Sequence, residues 1–582
     1  MTINRKEKRQ EFTRGAEVMR HEFGLYFSAL YFSFMIAFIA ALGTSIFTFN
    51  GMLNENEGEI LLSRLVAHYN VSTDTPNDKV RMELIKNQKK RTYEIPASSL
   101  LDLTKEEWRG IKTKIWYSLG FSLSCGIALF FITNWAWRQF GKKVGADEVV
   151  RGVVFVEPKT VVDELHKSRQ ASNVTFAGVP LEKGNEVLNT IISGAIGTGK
   201  SVAISEALEQ VRLSRAKAII FDPTGEYIER FYRPDRDIIL NPFDKRSKAW
   251  RPWSEIDKPY DYANLAASFI PIMNRKEPFW EEGAQAVLED IMARLAKANQ
   301  TTNRRLVEVI NVLSLEEIQD IVRNLPAAVY MDPGAAKTAL GIRMNVVRAA
   351  KAMRYLEDGA DDMSFSIRQW VTSADEDSWL FLSTREDMLT TMRPLMTAWL
   401  DTALRAIMTM TPDRDRLIWN VTDELPSLLK INSLQDVITR GRKYGLANIL
   451  GYQNIAQLRE IYGQNEAQTI VSMCQNTLTL RVPDFQTAEY ISKNLGSQEI
   501  YERDENLSYG AESSRDGVTI TTRRGEKQLV LASEVQGLPD LTGYFRLAGR
   551  NDIMRVKFNY KEYPRIAHGF VEKEIITYAL DE

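Results

Sequence analysis

Eight consecutive residues constrain this chain more than any other stretch: Gly194-Ala195-Ile196-Gly197-Thr198-Gly199-Lys200-Ser201. They fit G-x-x-x-x-G-K-[ST], a glycine loop that turns backbone N–H groups inward onto phosphate oxygens. The motif needs a strand before it and a helix after it, and both flanks comply. Val187 to Ile192 is a short apolar run that reads as a buried strand, and Val202 to Leu213 reads as a helix. The helix N-terminus adds partial positive charge beside the loop. Lys200 is placed to reach the β- and γ-phosphates of ATP, and the Ser201 hydroxyl to hold Mg²⁺. Gly194, Ala195, Ile196, Gly197, Thr198, Gly199, Lys200, Ser201 and Val202 are therefore the expected nucleotide-binding residues.

Short apolar strands alternate with helices on both sides of this loop, which argues for a parallel α/β sheet. Lys217 to Asp222, Ser378 to Ser383, Leu417 to Asp423, Ala447 to Gln453 and Thr477 to Val482 are the strand candidates. Hydrolysis of a γ-phosphate needs a metal and a water placed together. Asp423 ends an apolar strand and suits a Mg²⁺ ligand acting through water, while the adjacent Glu424 suits polarisation of the attacking water. Asp222 is the rival carboxylate, 22 residues after Lys200. Where a strand is inserted between the loop strand and the metal strand, Asp222 falls on an outer strand beside the site, and with Glu226 it reads equally well as turn and cap chemistry. Gln453 ends the next strand, where a neutral amide can sense the γ-phosphate without adding charge. Lys200, Glu424 and Gln453 are the expected catalytic residues, and Asp423, Glu424 and Gln453 make the loop part of a RecA-like hydrolysis site.

Between about 255 and 375 the period changes from 2 to 3.6: Glu282 to Ala298, Leu306 to Val322 and Ala336 to Tyr355 carry apolar residues at helical spacing. This predicts an all-α domain inserted into the α/β domain. At the other end of the chain no charged residue occurs from Phe23 to Asn54, and a second uncharged stretch runs from Ile115 to Trp137 with tryptophans at both edges. Each is long enough to cross a hydrocarbon core of about 30 Å, and aromatic edges suit the two interfaces. The expected order is a cytoplasmic segment (1–24), a transmembrane helix (25–49), a small periplasmic domain (50–114), a second transmembrane helix (115–137), the first part of the RecA-like domain (138–254), the helical insertion (255–375), and the second part with a short tail (376–582). Lys and Arg before the first span and after the second place both termini in the cytoplasm. Four scattered histidines (His21, His68, His166, His568) exclude a zinc protease, and the distant Cys125 and Cys474 exclude a disulfide framework. A formal charge of −2 excludes a protein that coats nucleic acid by global charge, though not one that grips it locally.

Basic residues are locally dense in two places. Arg275, Lys276, Arg304, Arg305, Arg343 and Arg348 lie in the helical segment and suit phosphate contacts without sequence readout, or simply solvated helix faces. Arg440-Gly441-Arg442-Lys443 lies between the Asp423 and Gln453 strands. It suits either the end of a helix, where cations meet the dipole, or an arginine finger offered to a neighbouring subunit's nucleotide.

Two spans, Gly194 to Ser201, the Asp222-Pro223-Thr224-Gly225-Glu226 turn, Asp423-Glu424-Leu425-Pro426-Ser427, the Gly441 to Leu446 run and Gly451-Tyr452-Gln453 together resemble the TraD-type coupling proteins of conjugative type IV secretion systems, over nearly the whole chain. The resemblance implies an inner-membrane ATPase in which six subunits ring a channel for DNA. It would link the relaxosome to the secretion channel and drive single-stranded DNA with its bound relaxase. It assigns the finger role to Arg442 and faces the helical insertion to the cytoplasm. The readings weighed against it are a receptor for protein substrates that does not pump DNA, and an FtsK-like double-stranded DNA translocase.

Overall fold

The computed structural model describes residues 5–87, 89–144, 148–273, 276–359, 364–374, 377–508 and 517–574. They fall into two compact units, residues up to 147 with 503–522, and 148–502 with 523–582.

The first unit is built on two long helices, Arg5–Met52 and Lys105–Val144. Within them Tyr26–Met52 and Lys105–Phe140 are long and apolar enough to cross a membrane, and their side chains are largely uncovered by protein. The second uncharged stretch falls inside its helix, and the first does so up to Met52, leaving Leu53 and Asn54 outside. The helices meet through small and hydroxyl residues, as apolar helices do where lipid supplies no hydrophobic drive. Gly126 leaves room for Ala37 and Ala41, and Ser118 donates to the Ser45 carbonyl at 2.7 Å and meets Thr48 Oγ1 at 2.8 Å. Between them the helix Glu55–Ser72 packs on an antiparallel hairpin, Lys79–Lys86 with Lys89–Pro96, and on the short helix Ala97–Leu103. Ile60, Ala67, Val80, Met82, Ala97 and Leu100 form its small core. Arg64 is buried there, donating to Leu101 O at 2.8 Å and Thr104 Oγ1 at 2.7 Å.

The second unit is organised by a ten-stranded sheet. Its strands in chain order are β1 (Val154–Val156), β2 (Thr190–Ser193), β3 (Lys217–Asp222), β4 (Ile238–Leu240), β5 (Trp379–Ser383), β6 (Ile418–Thr422), β7 (Leu446–Tyr452), β8 (Asn476–Thr479), β9 (Thr542–Arg546) and β10 (Asp552–Lys557). Across the sheet the order is β1-β10-β9-β8-β2-β7-β6-β3-β5-β4. From β8 to β4 all seven strands run parallel, and β9 and β10 then alternate direction. Strands β3, β5, β6 and β7 are buried on every residue, which explains why they are largely apolar. The loop strand β2 and the Asp423 strand β6 are separated by β7, so Asp222 does end an outer strand.

Each face of the sheet carries its own core. Helices Lys200–Leu213 and Glu226–Phe231 cover one face, over Ile192, Ile220, Phe381 and Val421. The other face supports the helical segment. Between β4 and β5 the described residues hold helices Tyr260–Phe269, Phe279–Lys297, Asn303–Asn311, Leu315–Ile321, Ala336–Ala350 and Ile367–Thr372, and no strand of the sheet. Leu265, Leu288, Leu306, Ile342 and Val346 of this segment join one continuous core with Phe221, Leu240 and Leu382 of the sheet and Met396 and Trp399 of helix Leu389–Met408. The helices therefore share the sheet's core rather than closing one of their own.

Candidate functional site

The glycine loop follows β2, where parallel strands present their C-terminal ends. Backbone bonds anchor it to both neighbours: Gly194 N–H donates to Tyr452 O of β7 at 3.2 Å, and Ala195 N–H to Arg481 O beyond β8 at 3.0 Å. Gly197 and Gly199 adopt φ of +77° and +113°, open to glycine and strained for other residues. A Cβ on Gly199 would also lie 2.8 Å from Leu541 Cδ2, because Leu541 leans on the loop and its N–H donates to Thr198 O at 2.9 Å. Lys200, Ser201 and Val202 open the helix that follows.

Four of the residues named from sequence converge here. Lys200 is buried, with Nζ 2.6 Å from Glu424 Oε2 and 3.5 Å from Asp423 Oδ1. Gln453, at the end of β7, hydrogen-bonds Glu424. Burial pushes the Glu424 carboxyl above its ordinary value, against the opposing pull of Lys200 and Gln453. A carboxylate held this way is a better base than a free one. Asp423 accepts the Tyr227 hydroxyl on Oδ2 at 2.9 Å, while its Oδ1 is buried without a hydrogen-bond donor. An oxygen with that unspent capacity, 3.5 Å from an ammonium, fits a divalent cation's water shell. Among the described residues no group of three or more His, Cys, Asp or Glu could hold a metal alone. A cation here needs oxygens from a bound phosphate, as Mg²⁺ does in nucleotide sites.

Asp222 is used differently. Its Oδ1 accepts Gly225 N–H at 2.9 Å and its Oδ2 accepts Tyr227 and Ile228 N–H at 2.9 and 3.0 Å, so the carboxylate caps the helix Glu226–Phe231. Full burial raises it to about 6, despite those bonds. Glu226 pairs with Arg230 one turn on. Arg442 lies on the turn Gly441–Tyr444 before β7 begins, at the opposite edge of the sheet from Lys200. Its side chain is exposed, and among the described residues no hydrogen bond or ion pair engages the guanidinium; its carbonyl accepts Gly445 N–H at 3.2 Å.

Three contributors escape a reading of the sequence. Tyr227 grips Asp423 from 196 positions away. Gly451, in the middle of the sheet, admits the Asp423 carbonyl so closely that a Cβ would lie 1.8 Å from it. Arg393 donates to Pro426 O and to Leu428 O, at 3.1 Å for the latter, and so fixes the loop behind Glu424. That loop borders a cavity of about 430 Å³ shared by Arg393, Glu424, Gln453 and Glu460. The only signal for Tyr227 is its place in the run after Asp222, and for Gly451 its place in the Gly451-Tyr452-Gln453 run; Arg393 carries none.

The basic residues of the helical segment are mostly engaged. Arg305 pairs with Glu308 at 2.8 Å, Arg343 donates to Ile310 O at 3.0 Å, and Arg348 meets Asn345. Lys276 is exposed, Arg304 is held by other groups, and Arg275 lies outside the described residues. Arg343, Arg348, Lys351 and Arg354 line one open groove with Leu340 and Met344.

Comparison with known proteins gives one consistent result. Residues 173–559 match a family model described as the type IV secretion-system coupling protein DNA-binding domain. The coupling protein TraD of Escherichia coli (strain K12) is 30% identical over 496 residues, 83% of this chain and 69% of that protein. Among solved structures, unbound TrwBdeltaN70, a bacterial conjugative coupling protein, matches with a TM-score of 0.67 at 29% identity, over 73% of this chain and 97% of its own. The plasmid coupling protein TrwB in complex with ADP and Mg²⁺ matches with a TM-score of 0.66 at 29% identity, over 74% and 98%.

Proposed function

This chain belongs to the type IV secretion-system coupling proteins, and from that membership we propose that it is an inner-membrane ATPase that links a relaxosome to a conjugative secretion channel and drives single-stranded DNA, with its bound relaxase, by ATP hydrolysis. The observation that carries the proposal is the convergence of Lys200, Asp423, Glu424 and Gln453 at the C-terminal edge of one sheet, beside a glycine loop. TrwB, of the same fold over almost its whole length, has been seen with ADP and Mg²⁺.

Nucleotide binding here begins with an exchange. The β- and γ-phosphates replace the two carboxylates as partners of Lys200, and the loop N–H groups close on the phosphate oxygens. Ser201 and Asp423, the latter through water, would hold Mg²⁺, which spreads charge off the β- and γ-phosphates when bound. Lys200 leaving Glu424 frees that carboxylate to take the proton of the attacking water, with Gln453 keeping it oriented. Arg442 faces away from its own chain's site, which supports a finger role toward the next subunit of a homo-hexamer. Tyr26–Met52 and Lys105–Phe140 support a two-span anchor with both ends in the cytoplasm.

Substituting Lys200→Ala tests the proposal. Membrane-inserted variant protein at normal abundance should bind no ATP and should lose DNA transfer in mating by several orders of magnitude. Full transfer by such a variant would sink the motor reading.

A further inference from the structure

We propose that Tyr227 is a positioning residue for the metal-side carboxylate, its hydroxyl holding Asp423 Oδ2 so that Oδ1 faces the cation's water shell. The inference rests on the hydrolysis-site reading above and adds to it a residue outside every nucleotide-binding motif.

The geometry has three parts. First, the two oxygens of Asp423 are unequal. Oδ2 takes the Tyr227 hydroxyl at 2.9 Å, and Oδ1 is buried with no hydrogen bond, the Lys200 ammonium standing 3.5 Å from it. A carboxylate rotates freely about its last bond unless one oxygen is held; a single directional bond to Oδ2 therefore sets where Oδ1 points. Second, Tyr227 is itself immobile. It is fully buried on the first turn of Glu226–Phe231, and its own N–H is one of the three collected by the Asp222 carboxylate. Third, the turn that carries it is braced from outside. Residues 566–569 lie across it: Ile566 N–H donates to Glu229 O at 2.8 Å, and the Gly225 and Gly569 backbones approach so closely that a Cβ on Gly225 would lie 2.8 Å from Gly569 O. A chain of contacts thus runs from this outer segment, through the buried Asp222 turn, to the carboxylate that faces the cation.

A phenol also suits the task chemically. It donates to one carboxylate oxygen without adding charge, so Asp423 stays fully available to a dication. A lysine or arginine at this place would compete with the metal.

The test uses the full-length chain in detergent and the variant Tyr227→Phe, which keeps the ring in its buried seat. Mn²⁺ serves as the probe. Its binding to the ADP-loaded protein is followed by electron paramagnetic resonance, and binding of a fluorescent ATP analogue is measured separately in EDTA. The expected result is unchanged nucleotide affinity in EDTA and Mn²⁺ binding weakened about 10-fold or more, the scale of one hydrogen bond to a charged group. In an Asp423→Ala background the same substitution should change Mn²⁺ binding no further. Mn²⁺ affinity within twofold of wild type would overturn the proposal, as would an undiminished effect in the Asp423→Ala background. Wild-type protein that binds Mn²⁺ no better with ADP than without it overturns the hydrolysis-site reading itself, and this proposal with it.

Discussion

Gly451 shows how little freedom single residues have at this site. It sits in β7, the strand between the loop strand and the Asp423 strand, and is buried on all sides. A methyl group there would stand 1.8 Å from the Asp423 carbonyl oxygen, far inside contact distance, and both partners are backbone. Neither can yield without moving Asp423, Glu424 or Gln453. Gly451→Ala should therefore lower ATPase activity at least about 100-fold, equivalent to about 2.7 kcal/mol of transition-state stabilisation, and lower the melting temperature as well. Gly58→Ala is the control: nothing lies within 4 Å of a Cβ there, and the residue is on a helix where alanine is preferred. Equal activity in the two variants would show that the Asp423 backbone has slack. Sequence alone marks Gly451 only as part of a Gly-Tyr-Gln run, because the crowding comes from a residue 28 positions earlier on a neighbouring strand.

At the scale of elements, the helix Glu226–Phe231 depends on Asp222, and that dependence carries a pH signature. Asp222 is fully buried, and its carboxyl is raised to about 6 from an ordinary 3.8. A carboxyl with a higher pKa folded than unfolded binds its proton more tightly in the folded chain. Its contribution to stability is fully present below about 3.8 and is lost as pH rises through about 6. The cost of Asp222→Ala should thus be larger at pH 4.5 than at pH 7.5, by up to about 1.4 kcal/mol for each pH unit inside that interval. Urea unfolding of both proteins at the two pH values checks this, and a pH-independent cost would refute it. The same element shows what sequence could and could not deliver. The glycine loop, Asp423-Glu424 and the apolar strands are legible because their chemistry lies in adjacent residues or in a period of two. The helical segment is legible from its 3.6-residue period. Residues 560–574 carry neither signal. They hold their place by isolated backbone bonds, such as Lys245 N–H to Val571 O at 2.9 Å and Lys573 N–H to Phe243 O at 3.0 Å, so no periodic pattern announces them. A buried ladder of asparagines is equally silent: Asn420 of β6 donates to Asn448 of β7 at 2.9 Å, and Asn448 to Asn189 before β2 at 2.7 Å. It ties the Asp423 strand to the loop strand across β7, yet three asparagines in sequence read as turns.

For the whole molecule the open question is whether one chain holds a complete site. In a parallel sheet the C-terminal strand ends carry Lys200, Asp423, Glu424 and Gln453, while Arg442 stands before β7 begins. That strand spans seven residues, so its two ends are about 20 Å apart. Arg442 therefore cannot serve the nucleotide of its own chain without refolding the sheet, and its exposed, unpaired guanidinium is available to a neighbour. This makes a sharp prediction for mixed assemblies. Lys200→Ala subunits should have no ATPase activity but intact Arg442. Arg442→Ala subunits should have an intact loop and lose activity by about 10³-fold for want of the finger. If the chain assembles as the proposed ring with head-to-tail contacts, an Arg442→Ala loop in a random mixture meets a Lys200→Ala neighbour that supplies arginine at about one interface in four. Mixing two inactive proteins should then restore up to about a quarter of wild-type activity, because each repaired interface pairs one intact loop with one intact finger. If Arg442 acted within its own chain, or only capped its helix, no mixture could exceed the average of its parts.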